Sequence, residues 1–242
     1  LLYLLIKNVF KNEKIALISA LFLTISPWHL QYSRAAFELS LLLFLILLSI
    51  YGLYLSSKNK LFLIMSALAA GLTFYSYNIA NVFIPLFFIP IIFVFKEYLR
   101  KIDKRTILLS ILLLILVSLP VIKKNIFGSA GQRFKTIGVM NNEEMTRDIN
   151  SKRIDGGNGN LEKLLHNKPL SILRAVSSNY ASSFSPQFLF INGDTIFRHS
   201  VHEMGELYWI QLPLLLFGIF YLLKSPNKKE SLLWLSWLII AP

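Results

Sequence analysis

Long uncharged apolar runs separated by short polar segments dominate the chain. A run of about 20 apolar residues is long enough to cross a bilayer as a helix. The run 61–95 is too long for one helix, and its polar middle, 75–81, predicts a tight turn between two helices. With the short run 1–6, the pattern predicts about eight membrane segments, six of them essentially complete. The other runs are 15–33, 39–57, 106–122, 207–223 and 231–242.

Composition agrees with this pattern. Of the 242 residues, 55% are hydrophobic and only 16% are charged, whereas soluble domains are about a quarter charged. The absence of cysteine excludes a disulfide scaffold and a thiolate metal site. The predicted fold class is therefore an all-α polytopic membrane protein, with the lipid bilayer as its first partner.

The basic residues predict the orientation. The net charge of +12 could suggest nucleic acid, but 13 of the 25 basic residues lie in four clusters that fall on one side if every span crosses once. Positive-inside bias makes that side cytoplasmic and leaves nucleic acid without support. We therefore expect a multi-pass protein of the plasma membrane. The clusters are Lys7, Lys11 and Lys14; Lys58 and Lys60; Lys96, Arg100, Lys101, Lys104 and Arg105; and Lys224, Lys228 and Lys229.

Three regions follow from this topology. Residues 1–122 contain about five to six spans, residues 123–206 form a small extracytoplasmic loop domain, and residues 207–242 contain two spans, the second truncated. Within the loop domain, the stretch 155–160 is a flexible loop by composition. The stretch 161–178 shows a helical stripe that Pro169 starts or kinks. Both chain ends interrupt an apolar run, so we expect an internal piece of a longer protein.

The first candidate site lies in SPWHLQYSRAAFE, residues 26–38. Arg34 and Glu38 are four residues apart and would share a face on one helix. In one interpretation they form an ion pair, with Trp28 and Tyr32 as interface anchors. In the other, the guanidinium of Arg34 binds a phosphate at the rim of a cavity, which suits its planar fork of donors. The sequence alone leaves both open.

The second candidate site lies between residue 179 and the span that starts at residue 207. Its titratable residues are Asp194, Arg198, His199, His202 and Glu203. They are placed where a lipid headgroup would lie, although a solvated loop with a helix cap is the commoner reading. The spacing of the two histidines does not match a zinc HExxH motif. We therefore predict no metal ligands, while a divalent metal stays an open alternative.

Two segments resemble a known group of enzymes. SPWHLQYSRAAFE resembles the stretch after the third span in bacterial membrane glycosyltransferases of the GT-C superfamily. NYASSFSPQFLFINGDTIFRHS, followed by GELYWIQLPLLLFGIFYLL, resembles the extracytoplasmic loop and next span of members of that group. The nearest kin by resemblance are glycosyltransferase family 39 and aminoarabinose-transferase-like proteins, relatives of the protein O-mannosyltransferases. The resemblance implies a GT-C-like transmembrane helix bundle with a small extracytoplasmic insertion.

The resemblance also implies a reaction. Such enzymes transfer a hexosyl or pentosyl sugar from a polyprenyl-phosphate carrier to a lipid, glycan or protein acceptor on the extracytoplasmic face. Arg34 would stabilise the leaving phosphate, and Glu38 would orient Arg34 or the acceptor. His29, Tyr32, Asp194, Arg198 and His199 would bind substrate. The family's catalytic carboxylate lies in a loop that would precede Leu1, so we expect this chain to lack the main acid/base residue.

Two other classes compete with this interpretation. A transporter or flippase for lipid-linked sugars would show broken helices placed symmetrically in two halves. Pro85 and Pro90 are expected to break one span and so favour a transporter, whereas the absence of an internal repeat argues against one. A non-catalytic scaffold would leave Arg34 and the cluster 194–203 unexplained.

Overall fold

The computed structural model describes residues 1–127, 143–157, 159–194, 196, 201, 204–225 and 228–241. Within these ranges every regular element is a helix, which confirms the all-α prediction. A short π-helical turn, Gln187–Asn192, precedes α11. The helices are α1 (Leu2–Phe10), α2 (Glu13–Ile25), α3 (Pro27–Arg34), α4 (Glu38–Leu55), α5 (Leu61–Ser76), α6 (Ala80–Leu99), α7 (Lys104–Phe127), α8 (Glu143–Asp155), α9 (Asn160–Leu165), α10 (Lys168–Ser183), α11 (Gln211–Lys224) and α12 (Lys228–Ile240).

Three of the described helices are long and apolar enough to cross a membrane: α4, α6 and α7. A fourth span results if α2 and α3 are counted together, although they are bent by 58°. The bend follows from Ser26-Pro27, because a residue before proline avoids helical angles and Ser26 is extended at ψ 132°. The predicted span 15–33 is therefore bent. Helices α5 and α11 and the stretch Ser231–Ile240 are apolar but shorter.

The chain divides into two units. The membrane unit comprises Leu1–Ile122 and Pro186–Pro242, and the loop unit comprises Lys123–Ser185. The described residues between Pro186 and Glu206, which the sequence analysis placed with the loop domain, thus group with the membrane unit. In that unit α4 packs most extensively against α5, and α6 packs against α12. Its apolar core is centred on Ile50 and Phe87, each about 1% exposed.

The four turns with the predicted basic clusters meet at one end of the membrane unit. The Tyr54 hydroxyl donates to the Asn8 carbonyl at 2.8 Å, which joins the first two turns. Lys60 pairs with Asp103 at 2.9 Å and joins the second turn to the third. Lys229 lies 3.8 Å from Glu97 and joins the fourth to the third. This end, the basic end, matches the predicted alternation of spans.

The loop unit contains α8, α9 and α10. The predicted helix 161–178 is two helices, because Asn167 ends one and caps the next by accepting from the Leu170 amide at 2.9 Å. Pro169 lies in the first turn of α10, where its missing N–H costs nothing. The predicted glycine-rich loop follows α8, with Gly157 at φ +86°. Arg153 donates to the His166 carbonyl at 2.6 Å and holds α8 to the turn before α10.

Candidate functional site

The candidate site lies on α3 and the segments beside it, and α3 is defined by local sequence. Pro27 occupies its first turn, where proline starts helices, and Ala35 to Phe37 end it. Ala36 takes a left-handed conformation at φ +51°, which few residues other than glycine adopt. The chain then turns into α4, whose first residue is Glu38. The predicted residues His29, Tyr32 and Arg34 therefore all belong to one short helix.

Aromatic rings cover one side of this helix. The Trp28 ring meets His29 edge-on with centroids 5.5 Å apart, and it meets Tyr32 at 6.4 Å. Tyr32 in turn contacts Phe37 at 5.2 Å. Nδ1 of His29 is buried and has no hydrogen-bond partner among the described residues. A buried nitrogen without a hydrogen-bond partner costs free energy. A ligand with a polar group that reaches α3 could form a hydrogen bond with Nδ1 of His29.

Carboxylates approach Tyr32 from the far part of the chain. Its hydroxyl is within electrostatic reach of Glu206 and Asp194, and of Tyr77 in the turn before α6. Glu206 links two predicted substrate-binding segments that are far apart in sequence, since its carbonyl accepts from the start of α3 and its side chain accepts from Asp194. The Oδ1 atom of Asp194 accepts from the Ile196 amide at 2.9 Å. Carboxylates such as that of Asp194 and phenols such as that of Tyr32 are the kinds of group that form hydrogen bonds with the hydroxyls of a sugar.

Glu206 is a residue of this site that sequence reasoning missed. Its carbonyl accepts from the Ser26 hydroxyl at 3.3 Å and from the Trp28 amide at 3.4 Å. Its Oε1 accepts from the Asp194 amide at 3.0 Å. The available signal was a carboxylate directly before an apolar span, one residue before Leu207.

Arg34 and Glu38 do not share a helix face, contrary to the prediction. Arg34 is the last residue of α3 and Glu38 the first of α4, and the left-handed Ala36 interrupts the helix between them. Both side chains are exposed, and within the described part of the chain neither forms an ion pair. The interpretation as an i,i+4 ion pair is therefore wrong, and the guanidinium is available to an anion.

An apolar cavity of about 420 Å³ lies beside α3 in the membrane unit. Trp28 lines it from α3, Leu42 from α4, Phe83 from α6 and Trp237 from α12. Every lining side chain is apolar or tryptophan, so the cavity favours a hydrocarbon over a polar ligand.

The remaining predicted residues give no further geometry. Arg198, His199, His202 and Glu203 lie outside the described residues. Within the described ranges, no three histidine, aspartate or glutamate side chains are grouped so that they could hold a metal ion.

Comparison with known proteins gives one family. Neither the curated proteins nor the solved structures contain a match to this chain. A family model described as dolichyl-phosphate-mannose-protein mannosyltransferase matches residues 1–123, which include α1 to α6 and the whole of SPWHLQYSRAAFE. The second resembling segment, 179–223, lies outside the match. The match covers half of the chain and confirms the resemblance to GT-C membrane glycosyltransferases. The chain accordingly belongs to the dolichyl-phosphate-mannose-protein mannosyltransferase family, and it is a membrane glycosyltransferase by that membership.

Proposed function

We propose that this protein transfers a hexosyl or pentosyl sugar from a polyprenyl-phosphate carrier to a lipid, glycan or protein acceptor. The reaction takes place on the extracytoplasmic face of the plasma membrane. In the transfer, the bond between the sugar C1 and the phosphate oxygen breaks, and its electron pair stays on the phosphate. The acceptor oxygen forms the new bond to C1, and in the balanced reaction its proton passes to the released phosphate. A fixed cation next to the phosphate oxygen lowers the barrier to this step.

The observation that supports the proposal most strongly is that α3 has an apolar cavity near its start and an exposed arginine at its end. Trp28 near its start lines the apolar cavity, and Arg34 at its end is exposed and without an ion-pair partner in the described chain. Arg34 lies six residues after Trp28, which is about 9 Å along the helix axis. A polyprenyl phosphate has the same order of parts, an apolar tail followed by an anionic head. The cavity would take part of the tail, and Arg34 would take the phosphate as a two-pronged donor.

The other site residues receive roles by position. Asp194 and Tyr32 would hold sugar hydroxyls, since a carboxylate accepts and a phenol donates. His29, with its buried Nδ1, would accept or donate one further hydrogen bond. Glu38 begins α4 across the turn from Arg34 and would orient the acceptor. Arg198 and His199 stay in the proposal as donors to the phosphate, as the sequence predicts.

We infer the side on which the site lies from the basic end, which is at the opposite end of the membrane unit from α3. The four basic turns are joined there by contacts such as those of Tyr54 with Asn8 and of Lys60 with Asp103. Clustered lysine and arginine in short loops favour the cytoplasmic side. Helix α4 runs from Glu38 beside the site to Leu55 at the basic end. The site would therefore face away from the cytoplasm, where the sugar of an outward-facing carrier is accessible.

The structure weakens the main support for a transporter. Pro85 and Pro90 were expected to break a span, but α6 continues as one helix from Ala80 to Leu99 through both. Transporters of lipid-linked solutes commonly place their sites at broken helices in two related halves. Among the described helices, one pair is bent in this way, at Ser26, and no second bent pair related to it is present there.

Replacement of Arg34 tests the proposal. We expect Arg34→Ala to lower transfer from dolichyl-phosphate-mannose, or from whichever polyprenyl-phosphate sugar the wild type uses, by a factor on the order of 10²–10³. Arg34→Lys keeps the charge but loses the two-pronged geometry, so it should retain part of the activity.

A matched control comes from the opposite end of the molecule. Arg100 is also exposed and lies 3.8 Å from Glu97 at the basic end. Arg100→Ala should therefore leave transfer unchanged. Wild-type turnover by Arg34→Ala at normal membrane expression would remove Arg34 from the mechanism.

A further inference from the structure

We infer that Glu206 is a positioning residue that fixes Asp194 beside α3, an inference that rests on the proposed function. Glu206 itself need not touch the substrate. It joins three parts of the membrane unit: the start of α3, the π-helical turn Gln187–Asn192 and the residue Asp194. These parts lie far apart in the sequence, and the contact from Ser26 to Glu206 spans 180 residues.

The backbone of Glu206 is held from two sides. Its amide donates to the Phe188 carbonyl at 3.4 Å, and the next amide, of Leu207, donates to the Leu189 carbonyl at 2.7 Å. On the other side, its carbonyl accepts from Ser26 and Trp28. Gly205 allows the close approach, because a Cβ there would lie 2.4 Å from the backbone of Phe190. The segment 205–207 is thus wedged between the π-helical turn and α3.

The side chain of Glu206 then extends this fixed point to Asp194. Its Oε1 accepts from the Asp194 amide at 3.0 Å. Asp194 follows Gly193, whose φ of +68° and ψ of −153° are accessible to glycine but strained for other residues. The chain therefore changes direction at Gly193, directly after the π-helical turn. The hydrogen bond to Glu206 then fixes the position of the Asp194 backbone. Through Glu206, whose carbonyl accepts from Ser26 and Trp28, Asp194 is thereby tied to the start of α3.

The geometry predicts that the position of the oxygen matters more than its charge. The donor is the backbone amide of Asp194. Either a neutral amide oxygen or a carboxylate oxygen can accept a hydrogen bond from it with similar geometry. Glu206→Gln keeps an oxygen at the same distance from the backbone. Glu206→Asp keeps the charge but shortens the side chain by one methylene and withdraws the oxygen from the Asp194 amide. The two variants separate position from charge.

In transfer from dolichyl-phosphate-mannose we expect Glu206→Gln to remain near wild type and Glu206→Asp to lose about tenfold in kcat/KM, a typical effect of losing one hydrogen bond to a charged group. The thermal midpoints of both variants should stay close to that of the wild type. The reverse order, with the aspartate variant active and the glutamine variant impaired, would show that Glu206 acts through its charge and would overturn the inference.

Coupling to Asp194 gives a second readout. If Glu206 acts through Asp194, then Glu206→Asp should cost nothing further in an Asp194→Asn background. An additive loss would mean that Glu206 acts elsewhere and would contradict the inference.

A distance measurement separates this inference from the proposed function. The chain has no cysteine, so spin labels can be attached at Ser33→Cys on α3 and Ile196→Cys beyond Asp194 without background labelling. We expect a narrow distance distribution in wild type and Glu206→Gln and a broader one in Glu206→Asp. Identical distributions in all three would overturn the positioning role. A wild type that transfers no sugar would refute the proposed function and leave this readout intact.

Discussion

At the scale of single residues, Asp103 shows how one carboxylate organises the basic end. Its Oδ1 accepts from Lys60 at 2.9 Å, and its Oδ2 accepts from the Thr106 amide at 3.0 Å. It therefore caps α7 and ties that helix to the turn between α4 and α5. These partners lower the pKa of Asp103 from 3.8 to about 2, with the hydrogen bond from Lys60 as the largest cause, followed by those from Thr106.

The lowered pKa predicts a pH-dependent contribution to stability. A carboxyl group whose pKa is lower in the folded state stabilises the fold above its unfolded pKa, and loses that effect as the pH falls through its folded pKa. The gap in thermal midpoint between wild type and Asp103→Asn should therefore be full above pH 3.8 and shrink towards pH 2. Thermal unfolding in detergent at several pH values measures it. A gap that stays constant down to pH 2 would contradict this account of Asp103.

The sequence predicts Tyr32 and Asp194 as substrate-binding residues, and it does not single out Glu206. Tyr32 stood out as an aromatic beside Arg34, and Asp194 as an acid in a loop next to a span. Glu206 works mainly through its backbone and through one acceptor atom for Asp194. Such a role depends on which distant backbone groups arrive nearby, and residue types along the chain do not encode that directly.

At the scale of elements, small residues let α4 and α5 pack closely. The hydroxyls of Ser49 and Ser66 lie 3.2 Å apart, and Ser66 also donates to the Ser49 carbonyl at 2.7 Å. One turn further along α4, a Cβ on Gly52 would lie 2.9 Å from the Phe62 carbonyl oxygen of α5. Close backbone approach and interhelical hydroxyl bonds are common sources of stability between membrane helices.

Replacement of Gly52 by alanine tests this contact. The added methyl meets backbone rather than a movable side chain, so the helices must separate. We expect a loss of about 1–3 kcal/mol in the free energy of unfolding. Gly218 on α11 is the matched control, because a Cβ there meets nothing within 4 Å. Gly218→Ala should be neutral or slightly stabilising, given the higher helix propensity of alanine. Equal effects at both positions would argue against the close packing of α4 on α5.

Element boundaries were predictable where special residues mark them. The bend at Ser26-Pro27 and the start of α10 at Pro169 follow from proline chemistry, and Asn167 is a standard cap. The break between Arg34 and Glu38 has no such mark, because Ala36 takes a left-handed conformation that alanine seldom adopts. The prediction from helical periodicity therefore treated the residues from Arg34 to Glu38 as one helix, although a turn lies between them. The resulting separation of Arg34 from Glu38 removed the ion-pair interpretation.

At the scale of the whole molecule, the positions of the basic turns agree with the sequence prediction, whereas the lengths of the helices differ from it. The four basic clusters predicted that their turns share one side, and contacts such as Lys229 with Glu97 place them at one end. Span counting was less successful, since three described helices, or four with the bent pair, meet the length and composition needed to cross a membrane. Helix α5 is apolar and half of its residues are buried, but at 16 residues it is shorter than those helices.

In the proposed function, the protein breaks the bond between sugar and carrier rather than moving the intact carrier lipid. Wild-type protein in proteoliposomes with radiolabelled dolichyl-phosphate-mannose and a panel of other polyprenyl-phosphate sugars tests this most directly. The account predicts loss of label from one carrier, accumulation of the free polyprenyl phosphate, and label in an added membrane acceptor or in water. Movement of intact carrier lipid between leaflets, with no carrier in the panel cleaved, would contradict it.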